Sequence, residues 1–143
     1  GQSSVTQTLD SVARSLPALW RAEKIQKKAA KGGFVWESLA ASLDKLDEQT
    51  AELRDACRAG SGAEEELGDV LFAAVSVAVQ LGADPEEALH AACEKFIRRF
   101  GAMEQAAQES GTALSHLSRE ALLALWSAQK ETADRKSANP TEI

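Results

Sequence analysis

A short break, RAGSG at residues 58–62, separates two long segments in which apolar residues recur at every third or fourth position. This spacing is typical of amphipathic helices, and helices joined by so short a turn run antiparallel. The apolar stripe of the first segment is Leu39, Leu43, Leu46, Thr50, Leu53 and Cys57. That of the second is Leu67, Val70, Leu71, Ala74, Val77, Ala78 and Leu81. The sequence therefore predicts a helical hairpin whose two stripes face each other.

The rest of the chain has the same helical character. Alternating β-branched segments and Asn-Gly turns are absent, and there is no Tyr. Helices are predicted after Pro17, over 36–58 and 63–81, from Pro85 to about Ser110, and, as a short fifth helix, after Ser118. Short links favour an antiparallel four-helix bundle in an all-α fold. We expect residues 1–14 to be a lead-in or linker, 15–131 the helical domain and 132–143 a flexible tail.

Size and composition limit the classes of function. A chain of 143 residues forms one domain, and 44% hydrophobic and 27% charged residues are typical of globular proteins. A net charge of −6 argues against binding to nucleic acid or to an anionic membrane, and no apolar run has the length of a membrane span. Cys57 and Cys93 lie in apolar helical patterns and are predicted to be reduced core thiols, which favours the cytoplasm. The chain begins with Gly and not Met, which is expected of an expression boundary or of a piece cut from a longer protein.

Acidic residues occur in pairs on both helices of the predicted hairpin. Glu48 and Glu52 are four residues apart and Glu66 and Asp69 three apart, so each pair lies on one side of its helix. With the turn centred near Gly60, Glu52 lies opposite Asp69. Carboxylates brought together repel each other unless a cation neutralises them, and oxygen ligands suit Mg²⁺ or Mn²⁺ better than Zn²⁺. The pattern predicts a metal site, with a solvated acidic flank as the alternative.

The segment CEKFIRRF (93–100) concentrates basic residues. Lys95, Arg98 and Arg99 fall within a turn and a half of helix, and an Arg fork suits phosphate oxygens. We expect these side chains to bind phosphate; the alternative is an exposed basic patch.

Two aromatic residues follow the flexible break KGG at residues 31–33. Phe34 and Trp36 are candidates for stacking on a nucleobase, whereas aromatics at a helix start also serve as hydrophobic staples. His90 and His116 have no zinc-ligand spacing, and no Ser-His-Asp arrangement or glycine-rich phosphate loop is present.

Five motifs in register carry a family resemblance: SLPALWRAEKIQKKAAKGGFVW, KLDEQTAEL, EEELGDVLFAAV, LGADPEEAL and EKFIRRF. Together they resemble the MazG family of nucleoside triphosphate pyrophosphohydrolases, in particular its C-terminal-type domain. The resemblance implies a four-helix bundle assembled across a dimer or a dimer of dimers. It also implies Mg²⁺-dependent hydrolysis of nucleoside triphosphates to monophosphate and pyrophosphate, as nucleotide-pool control.

The resemblance also implies roles for particular residues. Metal ligands are implied at Glu48, Gln49, Glu52, Glu66 and Asp69, catalytic roles at Glu48, Glu52 and Lys95, and substrate binding at Lys95, Arg98, Arg99, Phe34 and Trp36. Three positions depart from the family pattern, since Gln49 replaces a Glu, Cys93 an Asn and Val35 an Asp. Gln49 and Cys93 leave open a degenerate domain with weak or no activity, kept for dimerisation or nucleotide sensing. A separate alternative is a plain helical interaction module whose acidic residues are incidental.

Overall fold

The computed structural model describes residues 4–35 and 38–138, and this part of the chain is helical and contains no strand. The helices are α1 (Val5–Asp10), α2 (Ala18–Lys31), α3 (Leu39–Ala59), α4 (Ala63–Leu81), α5 (Pro85–Glu109) and α6 (Arg119–Ala138), with a 3₁₀ turn at Leu114–His116. The all-α class predicted from the sequence is confirmed. Within the described ranges, no single helix is long and apolar enough to cross a membrane; only α4 and α5 together, bent at the break between them, meet that criterion of length and composition.

The predicted hairpin is formed by α3 and α4, which pack against each other along much of their length. Ser38 caps α3 by accepting a hydrogen bond from the backbone N–H of Ala41 (3.0 Å). At the other end, Gly60 has φ +78° and Gly62 φ +79°, a region that L side chains rarely adopt. The turn therefore reverses the chain where the sequence predicts it.

The covered side of the hairpin differs from the predicted one. None of the residues in the two apolar stripes is buried, and Leu67 (47% exposed) and Leu71 (53%) stand out among the exposed ones. The buried residues of the hairpin are instead Ser42, Gln49, Ala73, Val75 and Ser76. The physical reason is that α2 packs on α4, where the small side chains of Ala73 and Ser76 allow close approach. The side of α3 and α4 that carries Leu39, Leu43, Leu67 and Leu71, the leucine-rich side, is left open in a single chain.

The contact between α2 and α4 includes a polar bridge. Gln26 donates through Nε2 to the carbonyl oxygen of Phe72 (2.9 Å) and accepts through Oε1 from the Ser76 hydroxyl (2.8 Å). Both polar ends of the half-buried Gln26 amide are therefore satisfied. The bridge fixes how α2 lies on the hairpin.

Three further features differ from the sequence predictions. Residues 5–10 form α1 within the expected lead-in, started by a capping box between Ser4 and Gln7, and Val12 behind it is buried. The C-terminal helix is long, and it continues to Ala138 where a loose tail was expected, since no Gly or Pro interrupts that segment. Cys57 and Cys93 are exposed and not core thiols, because helical periodicity identifies an apolar face but not whether that face is covered.

Two compact units divide the chain, one up to Ala88 and one from Leu89 onwards. In the second unit Met103 and Ala107 are buried, and the ring of Trp126 lies 5.4 Å from that of Phe96. The first unit contains the α3–α4 hairpin with α1 and α2.

Asp84 stabilises the start of α5. Its Oδ1 accepts hydrogen bonds from Trp20 Nε1 (2.7 Å) and from the backbone N–H groups of Glu86 (2.9 Å) and Glu87 (3.2 Å). Partial burial raises the pKa of Asp84, but these hydrogen bonds and the charge of Lys27 outweigh it, and the pKa lies below its ordinary value.

We predict that Asp84→Ala lowers the melting temperature by several degrees at neutral pH, because it removes both the cap and the partner of Trp20. A depressed carboxyl pKa gives stability that is present above the unfolded-state pKa and is lost as pH falls through the folded-state pKa. The difference between variant and wild type should therefore shrink in acid. Glu87→Gln, which changes only an exposed side chain, is the control. Identical melting of the Asp84→Ala and wild-type proteins at pH 7 would contradict this role.

Candidate functional site

Three of the predicted acidic residues come together across the hairpin. The pKa of Glu66 is raised, first by burial and then by the negative charges of Glu52, Asp69 and Glu65 and by a hydrogen bond with Glu52. Glu66 Oε2 is buried and has no hydrogen-bond partner. The structure therefore places Glu52 and Asp69 close enough to Glu66 for their charges to act on it, and one oxygen of the Glu66 carboxylate is left without a hydrogen-bond donor.

Glu48 lies in a different environment. It is exposed, and its Oε1 is 3.4 Å from Nζ of Lys45 one turn earlier on α3. An exposed pair of this kind contributes little to stability. Among the residues that the structure describes, no three His, Cys, Asp or Glu side chains are arranged so that they could hold a metal ion as they stand.

Gln49 is the most buried of the predicted site residues for which exposure is described, with 9% of its surface exposed. With the amide oriented to suit its neighbours, Nε2 donates to Glu52 Oε2 (3.0 Å) and Oε1 accepts from Lys45 Nζ (3.1 Å). The reverse orientation would set oxygen against carboxylate and nitrogen against ammonium, so the two neighbours fix the orientation. Gln49 thus joins a cation to one of the three converging acids.

A cavity of about 410 Å³ opens beside these residues, within the first unit. Lys45, Gln49 and Asp69 line part of its wall. The rest is largely apolar and comes from α1, α2, the segment after α2, and α4: Leu9, Ile25, Gln26, Ala29, Ala30, Phe34, Val35, Phe72, Ala73, Ser76, Val79 and Gln80. A mainly apolar cavity with a few polar groups is the usual form of a small-molecule site.

The predicted aromatic pair is described only in part. Phe34 lines the cavity and is 74% exposed, whereas Trp36 lies outside the described residues. Aromatic rings at a cavity wall can stack on planar ligands. The base-stacking role of both residues stays a prediction.

The basic segment belongs to the second unit. Lys95 and Arg98 are exposed, and the Arg99 guanidinium lies 5.9 Å from the centroid of the Trp126 ring, at cation–π distance. Phe96 stacks against Phe100, yet both remain exposed. Arg99 is therefore held by an aromatic partner, and phosphate binding by all three cations stays a prediction.

Sequence reasoning missed two parts of the site. Lys45 precedes Glu48 by three residues and Gln49 by four, so helical spacing alone puts all three on one side of α3. Leu9 of α1 also lines the cavity. The sequence signal for α1 was the capping-box pattern from Ser4 to Gln7.

Comparison with known proteins shows which family this sequence matches. Residues 37–102 match the family described as MazG nucleotide pyrophosphohydrolase domain. The chain is 41% identical over 133 residues to the "Nucleoside triphosphate pyrophosphohydrolase" of Escherichia coli (strain K12), a match that covers 90% of this chain and 51% of that protein. It is 37% identical over 115 residues to the "Nucleoside triphosphate pyrophosphohydrolase/pyrophosphatase MazG" of Thermotoga maritima, covering 80% of this chain and 45% of that one.

A third relative has a name that states no activity. The "Uncharacterized protein YabN" of Bacillus subtilis is 41% identical over 136 residues, which cover 93% of this chain and 28% of that protein. The chain spans about half the length, or less, of the curated relatives that it matches.

Proposed function

Because this chain belongs to the MazG family of nucleotide pyrophosphohydrolases, we propose that it hydrolyses nucleoside triphosphates to nucleoside monophosphate and pyrophosphate with the help of Mg²⁺ or Mn²⁺. The observation that carries the proposal is the position of Asp69. Its charge acts on Glu66 in the acidic cluster, and its side chain also lines the cavity. The acidic cluster and the cavity therefore share Asp69, which supports the proposal that a metal bound by the cluster would lie beside the substrate.

The donor chemistry suits a hard divalent cation. Glu52, Glu66 and Asp69 supply carboxylate oxygens, and the unpartnered Oε2 of Glu66 is an acceptor without a donor. When bound, the ion supplies Lewis-acid activation of a phosphate and lowers the pKa of a bound water. Because the acids are not already arranged around an ion, we expect their side chains to rotate when it binds.

The chain's own groups would bind the substrate and manage charge and protons. A nucleobase would lie in the largely apolar part of the cavity, whose lining includes the ring of Phe34. Lys45 places a positive charge at the acidic end of the cavity, where a phosphate chain would lie. We propose that water attacks the α-phosphorus, with pyrophosphate as the leaving group. Glu48 is exposed and is our candidate for accepting the proton of that water.

Other roles follow from the resemblance. Lys95, Arg98 and Arg99 remain the expected phosphate-binding residues. We also propose that two copies assemble through the open leucine-rich side of α3 and α4 and that the protein acts in the cytoplasm. The bundle of four helices would then be completed by the second copy.

Turnover of the common nucleoside triphosphates, measured with and without Mg²⁺, tests the proposal. We expect pyrophosphate and nucleoside monophosphate in equal amounts, and only with the metal. Metal binding without turnover would favour the degenerate domain instead. Neither metal binding nor turnover would favour an interaction module whose acidic residues are incidental.

A further inference from the structure

Gln49 stands where the family resemblance implies a carboxylate that binds metal, but its amide is already engaged at both ends. Oε1, the atom that a metal would need, accepts from Lys45 at 3.1 Å, and Nε2 donates to Glu52 at 3.0 Å. At 9% exposure the side chain has little room to turn towards another partner. An amide that rotated to bind an ion would leave two charged neighbours without their hydrogen bonds.

We propose, building on the proposed function, that Gln49 is a positioning residue and not a metal ligand. Its amide links Lys45 to Glu52 and contacts only one oxygen of the Glu52 carboxylate, so that a metal could bind the other oxygen without displacing Gln49. Outer hydrogen-bond partners of this kind orient metal-binding carboxylates and hold them in the binding geometry.

The charges around Gln49 explain why an amide suits this position. Glu52 already acts on Glu66 strongly enough to help raise its pKa, and Asp69 adds to that effect. A carboxylate at position 49 cannot donate a hydrogen bond to Glu52. It would instead place a second negative charge about where the amide nitrogen now lies, 3.0 Å from Glu52 Oε2. The amide supplies a donor to Glu52 and an acceptor to Lys45 without adding charge.

The test is a Mn²⁺ titration followed by thermal melting of the whole chain, which reports metal affinity without turnover. Gln49→Met keeps the shape of the side chain and removes both hydrogen bonds. We expect it to weaken Mn²⁺ binding by about tenfold, the lower end of what outer-partner changes cost elsewhere. Gln49→Glu should bind Mn²⁺ no more tightly than wild type, because its carboxylate pairs with Lys45 and repels Glu52.

A second arm asks whether the effect passes through Glu52. In a Glu52→Ala background, Gln49→Met should make no further difference to the Mn²⁺ affinity, since the residue that it positions is gone. Persistence of the full tenfold loss in that background would overturn the proposal. So would tighter Mn²⁺ binding by Gln49→Glu, by about tenfold or more, which is the result expected of a direct ligand.

The remaining outcomes distinguish failure of the positioning proposal from failure of the metal site itself. An unchanged Mn²⁺ affinity in Gln49→Met, with only a lower melting temperature without metal, would mean that Gln49 has a purely structural role and would overturn the positioning proposal alone. If the wild-type protein shows no Mn²⁺ response at all, the metal site of the proposed function fails, and the positioning proposal fails with it.

Discussion

Glu66→Gln is expected to reduce Mg²⁺-dependent pyrophosphate release by on the order of 10²- to 10³-fold, the range seen when a single charge-stabilising group is removed from an active site. The carboxylate lies at the centre of the acidic cluster, where Glu52 and Asp69 both act on it. Replacement by an amide keeps the shape of the side chain and removes its charge.

The same substitution should affect stability in the opposite direction. A carboxyl pKa raised in the folded state means that the ionised group opposes folding above the unfolded-state pKa. Glu66→Gln should therefore leave the metal-free protein at least as stable as wild type at neutral pH. Loss of activity with unchanged or higher melting temperature is typical of a functional site that holds unfavourable charge.

Glu64→Gln is the matched control, because Glu64 is an exposed acid in the first turn of the same helix. It should leave pyrophosphate release unchanged. Equal activity in the Glu66→Gln and Glu64→Gln proteins would show that the acidic cluster has no part in catalysis.

The second large effect concerns assembly. Leu67 and Leu71 lie on one side of α4 and are 47% and 53% exposed, and Leu39 and Leu43 of α3 are also exposed. Burial of a leucine side chain contributes about 1.5–3 kcal/mol. Replacing both Leu67 and Leu71 by Glu should therefore raise the dissociation constant of the proposed dimer by at least about a hundredfold.

Sedimentation equilibrium at micromolar concentration measures this directly. The wild-type protein should have the mass of a dimer or a dimer of dimers, and the double variant should be monomeric or fail to fold without its partner. Glu64→Gln should assemble as wild type does. A monomeric wild-type protein would remove the basis for completing the bundle with a second copy.

Local signals explain how much of the fold could be predicted. The turn at Gly60 and Gly62, the cap of α6 at Ser118 and the start of α5 at Pro85 each depend on a few neighbouring residues, and the structure has them where the sequence predicts them. The approach of Glu52 to Glu66 followed from helical spacing around a short turn, whereas the predicted position of Glu52 opposite Asp69 stays a prediction.

Contacts between distant segments explain what was missed. Helical periodicity identified the leucine-rich sides of α3 and α4 but not which side a single chain covers. That choice depends on α2, whose Gln26 joins Ser76 and Phe72 on the other side of α4. For the same reason the burial of Gln49 was not evident.

Hydrolysis in water enriched in ¹⁸O tests the central claim, that a metal-assisted acidic cluster directs water to the α-phosphorus, most directly. With Mg²⁺ and a nucleoside triphosphate, mass spectrometry should find one ¹⁸O atom in the nucleoside monophosphate and none in the pyrophosphate. Without Mg²⁺ no labelled product should form. The account would be contradicted by ¹⁸O in pyrophosphate, or by ¹⁸O in orthophosphate formed together with nucleoside diphosphate. It would also be contradicted if no common nucleoside triphosphate were hydrolysed.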